Sequence, residues 1–199
     1  MRHRTLLWRR ADLTGIEGSF VEVDETTLSA HGGVIASGTV PHQLTYRLET
    51  SAGFTTRRIV VRAEGAGWRR DLDLRRDDDG AWTIDGRSGG GDLPPAGGDA
   101  GSLKGCPDCD LGYSPLTNTM PVLRHRLHLE EGSTEVDAAW ISVPDLQVER
   151  LEQRYSHVRR TDESAVVRYE TRSGSFTADI EVDRAGFVVR YPGLATRID

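Results

Sequence analysis

Two thiols and two carboxylates lie within five residues, Cys106-Pro107-Asp108-Cys109-Asp110. The surrounding segment, GCPDCDLGYSPLTNTMP from Gly105 to Pro121, adds Thr117-Asn118-Thr119 between two prolines. Each group has a chemistry open to it. The CxxC spacing of Cys106 and Cys109 supplies half of a tetrahedral zinc site, or a redox pair. A zinc site needs further ligands, and there is no second CxxC. His125 and His128 are spaced three apart in what reads as an alternating strand, where such residues point to opposite faces. A thioredoxin-like pair calls for a strand-to-helix junction, and no helical pattern follows. The expectation is two packing thiols, with no metal and no cofactor.

Asp108 and Asp110 fall on the same side of an extended segment. As a pair they suit acid–base work or a divalent cation. Beside Thr117 and Asn118 they equally suit the bracing of a turn by accepting backbone N–H bonds. No nucleophile or histidine stands at a matching spacing, which favours bracing. His125, between Leu123 and Leu127, reads as a core histidine on an apolar strand face. Arg124, Arg126 and His128 form the opposite, polar stripe, able to meet a head group or water. The sequence has no P-loop, GxSxG elbow, HExxH or usable GxGxxG.

The elements that must position these groups are strands. Leu44, Tyr46 and Leu48 alternate with Thr45 and Arg47, and Trp82 and Ile84 with Ala81 and Thr83. Val136, Ala138 and Trp140 follow the same rule, as do Phe176, Ala178, Ile180 and Val182. Each run reads as a strand with one buried and one wet face. Asp79-Gly80, Asp85-Gly86, Glu131-Gly132, Ser173-Gly174 and Ala185-Gly186 punctuate them as turns. Roughly a dozen strands at such spacing predict a mainly β fold, an antiparallel curved sheet or open barrel. No long helix is predicted; Leu146–Gln153 fits a short helix or a strand. RSGGGDLPPAGGDAGSLK, from Arg87 to Lys104, reads as a long mobile loop. YRLETSAGFT (46–55) and RYETRSGSFT (168–177) echo one another, as two related hairpins would.

At 199 residues the chain fits a single domain over 1–199. A formal charge of −6 and a pI near 5.5 argue against a nucleic-acid partner, which needs a basic face. Arg57-Arg58, Arg69-Arg70, Arg75-Arg76 and Arg159-Arg160 are interleaved with acids, as on solvated strand faces. MRHRTLLWRR lacks the apolar core of about 7–15 residues that a secretory signal needs, and nothing reaches the roughly 20 of a membrane helix. These features predict a cytoplasmic protein with reduced cysteines and no transmembrane segment.

Several segments together resemble the bacterial putative glycolipid-binding protein family, long catalogued as a domain of unknown function. They are Trp8-Arg9-Arg10 with Gly15 and Glu17, Tyr46-Arg47-Leu48, WTIDG from Trp82 to Gly86, and the Gly105–Pro121 segment. Ala139-Trp140 with Val143-Pro144, Gln153-Arg154-Tyr155 and VVRYPGL from Val188 complete the set. The resemblance implies a half-barrel similar to lipoprotein carriers, with an interior that accepts an acyl chain. On that basis the expected function is non-catalytic binding of an amphipathic lipid or glycolipid. Trp68, Trp82 and Trp140 would be wall residues. Asp108, Asp110, Thr117, Asn118 and Arg124 would form the polar mouth. The alternatives are a hydrolase or isomerase using Asp108 and Asp110, and a structural domain whose loop braces the barrel.

Overall fold

A computed structural model describes residues 1–11 and 14–199. Seven strands run first as a meander: β1 (Arg2–Arg10), β2 (Gly15–Val23), β3 (Leu28–Ala36), β4 (His42–Ser51), β5 (Thr55–Gly65), β6 (Trp68–Arg76) and β7 (Trp82–Gly89). A two-residue strand β8 (Gly97–Gly98), a short β9 (Asp108–Leu111) and helix α1 (Thr119–Arg124) follow. The second meander is β10 (Ser133–Ile141), β11 (Gln147–Arg160), β12 (Ser164–Thr171), β13 (Thr177–Asp183), β14 (Val188–Tyr191) and β15 (Ala195–Arg197). All belong to one curved, unclosed sheet in the order β7-β6-β5-β4-β3-β2-β1-β15-β14-β13-β12-β11-β10-β9, with β8 pairing β11. The fold is mainly β, as the alternation predicts. The pairings are antiparallel except those of β9 with β10 and of β8 with β11, which are parallel.

Period-two patterning accounts for the strands directly. On β4, His42, Leu44, Tyr46 and Leu48 are buried while Gln43, Thr45 and Arg47 are exposed. On β1 the buried face reads Leu6, Trp8, Arg10. The outer face of β5 and β6 carries an ion-pair ladder: Asp73 bridges Arg58 and Arg75, and Asp71 bridges Arg62 and Arg69. Of the interleaved arginines, Arg70 is buried rather than solvated, whereas Arg58, Arg69 and Arg75 lie here. Being largely solvated, such pairs contribute at most about 1 kcal/mol each.

The concave face is filled by the chain itself. Leu103, Cys106, Leu111, Leu116 and Met120 share one buried cluster with Leu6, Trp8, Leu44, Leu48, Ile59 and Leu74. Thr56 on β5 fastens this plug: its N–H donates to the Pro107 carbonyl (2.9 Å), and its hydroxyl accepts the Cys109 N–H (2.8 Å). The interior that the resemblance assigns to an acyl chain is, over this region, packed with side chains. A second cluster lies under the other meander, formed by Val122, Leu127, Val136, Tyr155, Val167, Tyr169, Ile180 and Tyr191 among others.

Two local expectations are corrected, and one that stood open between helix and strand is resolved. Residues 119–124 form a helix, and His125 follows it rather than lying on a strand; six residues are too few for a 3.6-residue period to show against an accidental alternation. Leu146–Gln153 resolves to strand, β11 beginning at Gln147. The segment 87–104 is largely exposed, but it is hydrogen-bonded to the sheet rather than free. β7 runs through its start, β8 pairs with β11, and the buried Arg70 guanidinium donates to the carbonyls of Arg69, Gly89, Gly90, Leu93 and Pro94. Its glycines serve close approach: a Cβ on Gly90 (φ 63°) would sit 2.1 Å from the Gly67 carbonyl oxygen.

Candidate functional site

Between the plug and the second meander lies a cleft of about 290 Å³. Trp140 from β10, Tyr169 from β12, Phe176 from the β12–β13 turn and Tyr191 from β14 line it, together with Tyr113 and Leu194. They meet because those strands are near neighbours and the residues face the same way. Tyr169 and Phe176 rings are 5.9 Å apart, and each lies 6.3 Å from Tyr191 at tilted angles. The polar lining comes mainly from the plug: Asp110, Ser114 and Asn118, with Glu149 and Thr171 opposite.

Asp110 is held in a network of neutral donors. Its Oδ1 accepts from the Thr117 hydroxyl (2.9 Å) and its Oδ2 from the Gln153 amide (2.6 Å). Tyr155 donates to Asn118 Oδ1 (3.1 Å) and to Gln153 Oε1 (3.3 Å). Burial pushes the Asp110 carboxyl above its ordinary value; the two hydrogen bonds oppose this, and nearby Asp108 reinforces it. The phenols of Tyr155, Tyr169 and Tyr191 are also pushed up, first by burial and then by the Asp110 charge.

Asp108 leads elsewhere. It is buried against Arg124, whose guanidinium donates to both carboxylate oxygens at 2.7 and 2.5 Å, and also to the Phe54 carbonyl. Arg124 faces a wider groove of about 710 Å³, which Arg2, Arg4, Arg126, Arg184 and His128 also line. Its size does not make it the better candidate. Arg4 pairs with Asp183, Arg126 with Glu130 and Arg184 with Glu163, so most of its cations are already answered. Asp110 thus opens onto the cleft while Asp108 is buried against Arg124, and the twin aspartates do not converge on one reacting atom.

A third polar cluster sits deeper. Glu17 on β2 is fully buried, its Oε1 accepting from Tyr46 (2.8 Å) and from Ser114 (2.7 Å). Its Oε2 and the neighbouring Ser19 hydroxyl have no hydrogen-bond partner among the described residues. Burial raises the Glu17 carboxyl to about 7. Arg10 lies 4.7 Å above the Tyr113 ring, so this cluster adjoins the aromatic cleft through Tyr113 and Ser114.

The structure thus brings together Asp110, Asn118 and Trp140 in one cleft, with Thr117 directly behind Asp110. Asp108 and Arg124 pair with each other outside it. Trp82 is buried in the first core, its indole N–H donating to the Cys106 carbonyl at 3.0 Å. Trp68 packs over Gly65 and Gly91 at the start of β6. Cys106 and Cys109 are free and buried, their thiols raised by burial to about 11 and about 12. Among the described residues no three His, Cys, Asp or Glu side chains converge as a metal site. Sequence reasoning did not place Tyr169, Phe176, Tyr191, Gln153, Glu17 or Ser114 at a site. Glu17 carries a signal in retrospect, since it shares a strand face with Val21 and Val23.

An open, curved sheet with its own plug and a rim of aromatic residues defines the architecture. The chain belongs to the family described as "Putative glycolipid-binding", whose model matches residues 5–197. It is similar to the crystal structure of a DUF1089 family protein from Pseudomonas aeruginosa: 30% identity, 92% of each chain covered, TM-score 0.69. No curated protein matches it.

Proposed function

We propose that this protein binds a glycolipid-like small molecule without transforming it, with the head group seated in the Trp140–Tyr169–Phe176–Tyr191 cleft. The observation that carries this reading is the joining of ring faces to a carboxylate, an amide and hydroxyls in one recess. Apolar sugar faces pack on aromatic rings, while their hydroxyls need acceptors and donors at the edge. Asp110, Asn118 and Ser114 supply these; Thr117 and Gln153 orient Asp110. The family description supports the same ligand class. At about 290 Å³ the cleft lies near the small end of ligand sites, roughly 300–1,000 Å³. A head group with the start of its chain fits this scale, and the rest of the chain lies along the exposed rim by Phe176 and Leu194. Asp108, Arg124, Trp68 and Trp82 are then structural.

The test is calorimetric titration with monomeric octyl glucoside, comparing the native protein with Trp140→Ala and Trp68→Ala. Saturable binding weakened by the first change and kept by the second supports the reading. Equal affinities for all three, or no binding, would sink it.

A further inference from the structure

Asp108 and Asp110 stand two residues apart on β9, and only one has a counter-charge. Asp108 has the Arg124 guanidinium. The partners of Asp110, Thr117 and Gln153, are neutral, and Asp108 nearby adds repulsion. Among the described residues lining the cleft there is no arginine, lysine or histidine, and its other charged group is Glu149. Asp110 is half-buried in the cleft wall, and burial pushes a carboxylate without a cation toward its neutral form. Of its roughly four lone-pair positions, two remain open after the Thr117 and Gln153 bonds.

The walls have the same polarity. Trp140, Tyr169, Phe176 and Tyr191 bring ring π-systems, negative on their faces, to the same recess. The Arg10 guanidinium stands over the Tyr113 ring at 4.7 Å, while the charged groups lining the cleft are both carboxylates. Such a surface repels a phosphate or carboxylate head group and attracts a cationic nitrogen, which gains from both the ion pair and the ring faces. A neutral sugar can fill the space but leaves Asp110 uncompensated.

We infer that the head group this cleft selects carries a positively charged nitrogen beside Asp110, as in an amino sugar or an ammonium-bearing lipid. The inference rests on the binding role given to the cleft above. Such a ligand would supply the missing counter-charge that Arg124 supplies to Asp108.

The experiment compares monomeric octyl glucoside, its 2-amino-2-deoxy analogue, the N-acetylated analogue and octyltrimethylammonium, titrated calorimetrically at pH 6.5. The amino glycoside is expected to bind about tenfold more tightly than either neutral glycoside. Asp110→Asn should bring that ratio close to one, and Glu149→Gln should lower it less. Tight binding by octyltrimethylammonium would identify an ammonium lipid as the source; tight binding confined to the amino glycoside would identify an amino sugar. Neutral glycosides that bind as well as the amine, or better, would overturn the charge assignment while leaving the cleft as a binding site. If none of the four binds, both the binding reading and this inference fail.

Discussion

Ser114 donates a 2.7 Å hydrogen bond to Glu17 Oε1, joining the plug to β2 across 97 positions of sequence. The same oxygen accepts from Tyr46, so one carboxylate holds together β2, β4 and the segment that fills the concave face. Both hydrogen bonds, and the nearby Arg10 charge, favour the ionised carboxylate, but burial outweighs them. Burial has moved the carboxyl to about 7, so at neutral pH the buried charge is close to being given up.

That position has a measurable consequence. In an unfolded chain Glu17 titrates near its ordinary value of 4.5 and in the folded protein near 7, so between these limits the folded state binds more protons. Stability contributed by Glu17 is complete below about 4.5 and is lost as pH rises through about 7. The loss is up to roughly 3 kcal/mol. Glu17→Gln keeps an acceptor for Ser114 and Tyr46 and cannot ionise. Urea unfolding from pH 4.5 to 8 should show the native protein losing stability relative to this variant as pH rises. Parallel curves would refute the assignment. Asp108 and Asp110, also raised, titrate in both proteins and cancel in the difference.

Breaking the buried Asp108–Arg124 pair should be expensive. The two side chains are 3% and 15% exposed, so Arg124→Met leaves a buried carboxylate without its paired cation. The expected cost is about 3–5 kcal/mol, and Asp108→Asn combined with Arg124→Met should recover much of it. A loss below about 1 kcal/mol for the single change would mean that solvent reaches the pair.

Arg70 should control the order of residues 89–98. Replacing it by Met keeps the buried hydrocarbon but deletes five donated hydrogen bonds. Hydrogen exchange is expected to speed up over Gly89–Gly98 while the β12–β13 hairpin keeps its protection. Uniform acceleration across the sheet would show instead that Arg70 supports the whole fold.

Gly32 should not tolerate a side chain. A Cβ there would lie 2.5 Å from the Gly18 carbonyl oxygen and 2.6 Å from the Tyr46 hydroxyl. Gly32→Ala therefore displaces the phenol that donates to Glu17, with an expected cost of about 1–3 kcal/mol. A melting temperature unchanged from the native protein would count against the close approach.

Much of the sheet was legible because alternation needs no long-range information. Leu44, Tyr46 and Leu48 face inward as their spacing predicts, as do Ala178, Ile180 and Val182. The two echoed segments are indeed hairpin turns, β4 to β5 and β12 to β13, each with a glycine in the left-handed region, Gly53 and Gly174. What could not be read was strand order. Trp140, Tyr169 and Tyr191 share a cleft only because β10 to β14 lie side by side, and alternation fixes facing without fixing neighbours. Asp108 and Asp110 looked alike for a related reason: Arg124 reaches Asp108 through a helical turn too short to leave a periodic trace. The Gly-rich segment was misread because composition does not distinguish a glycine needed for flexibility from one needed for clearance, as at Gly90.

The pairing of β1 with β15 seams the sheet at its middle, with Trp8 opposite Arg197 and Arg10 opposite Ala195. During synthesis the first meander emerges with one edge of β1 unpaired, and its partner arrives only after nearly all the intervening chain. Closing so long a loop is slow, and an open strand edge is a template for other chains in the meantime. Aggregation of nascent chains should therefore depend on how soon residues 195–197 reach that edge.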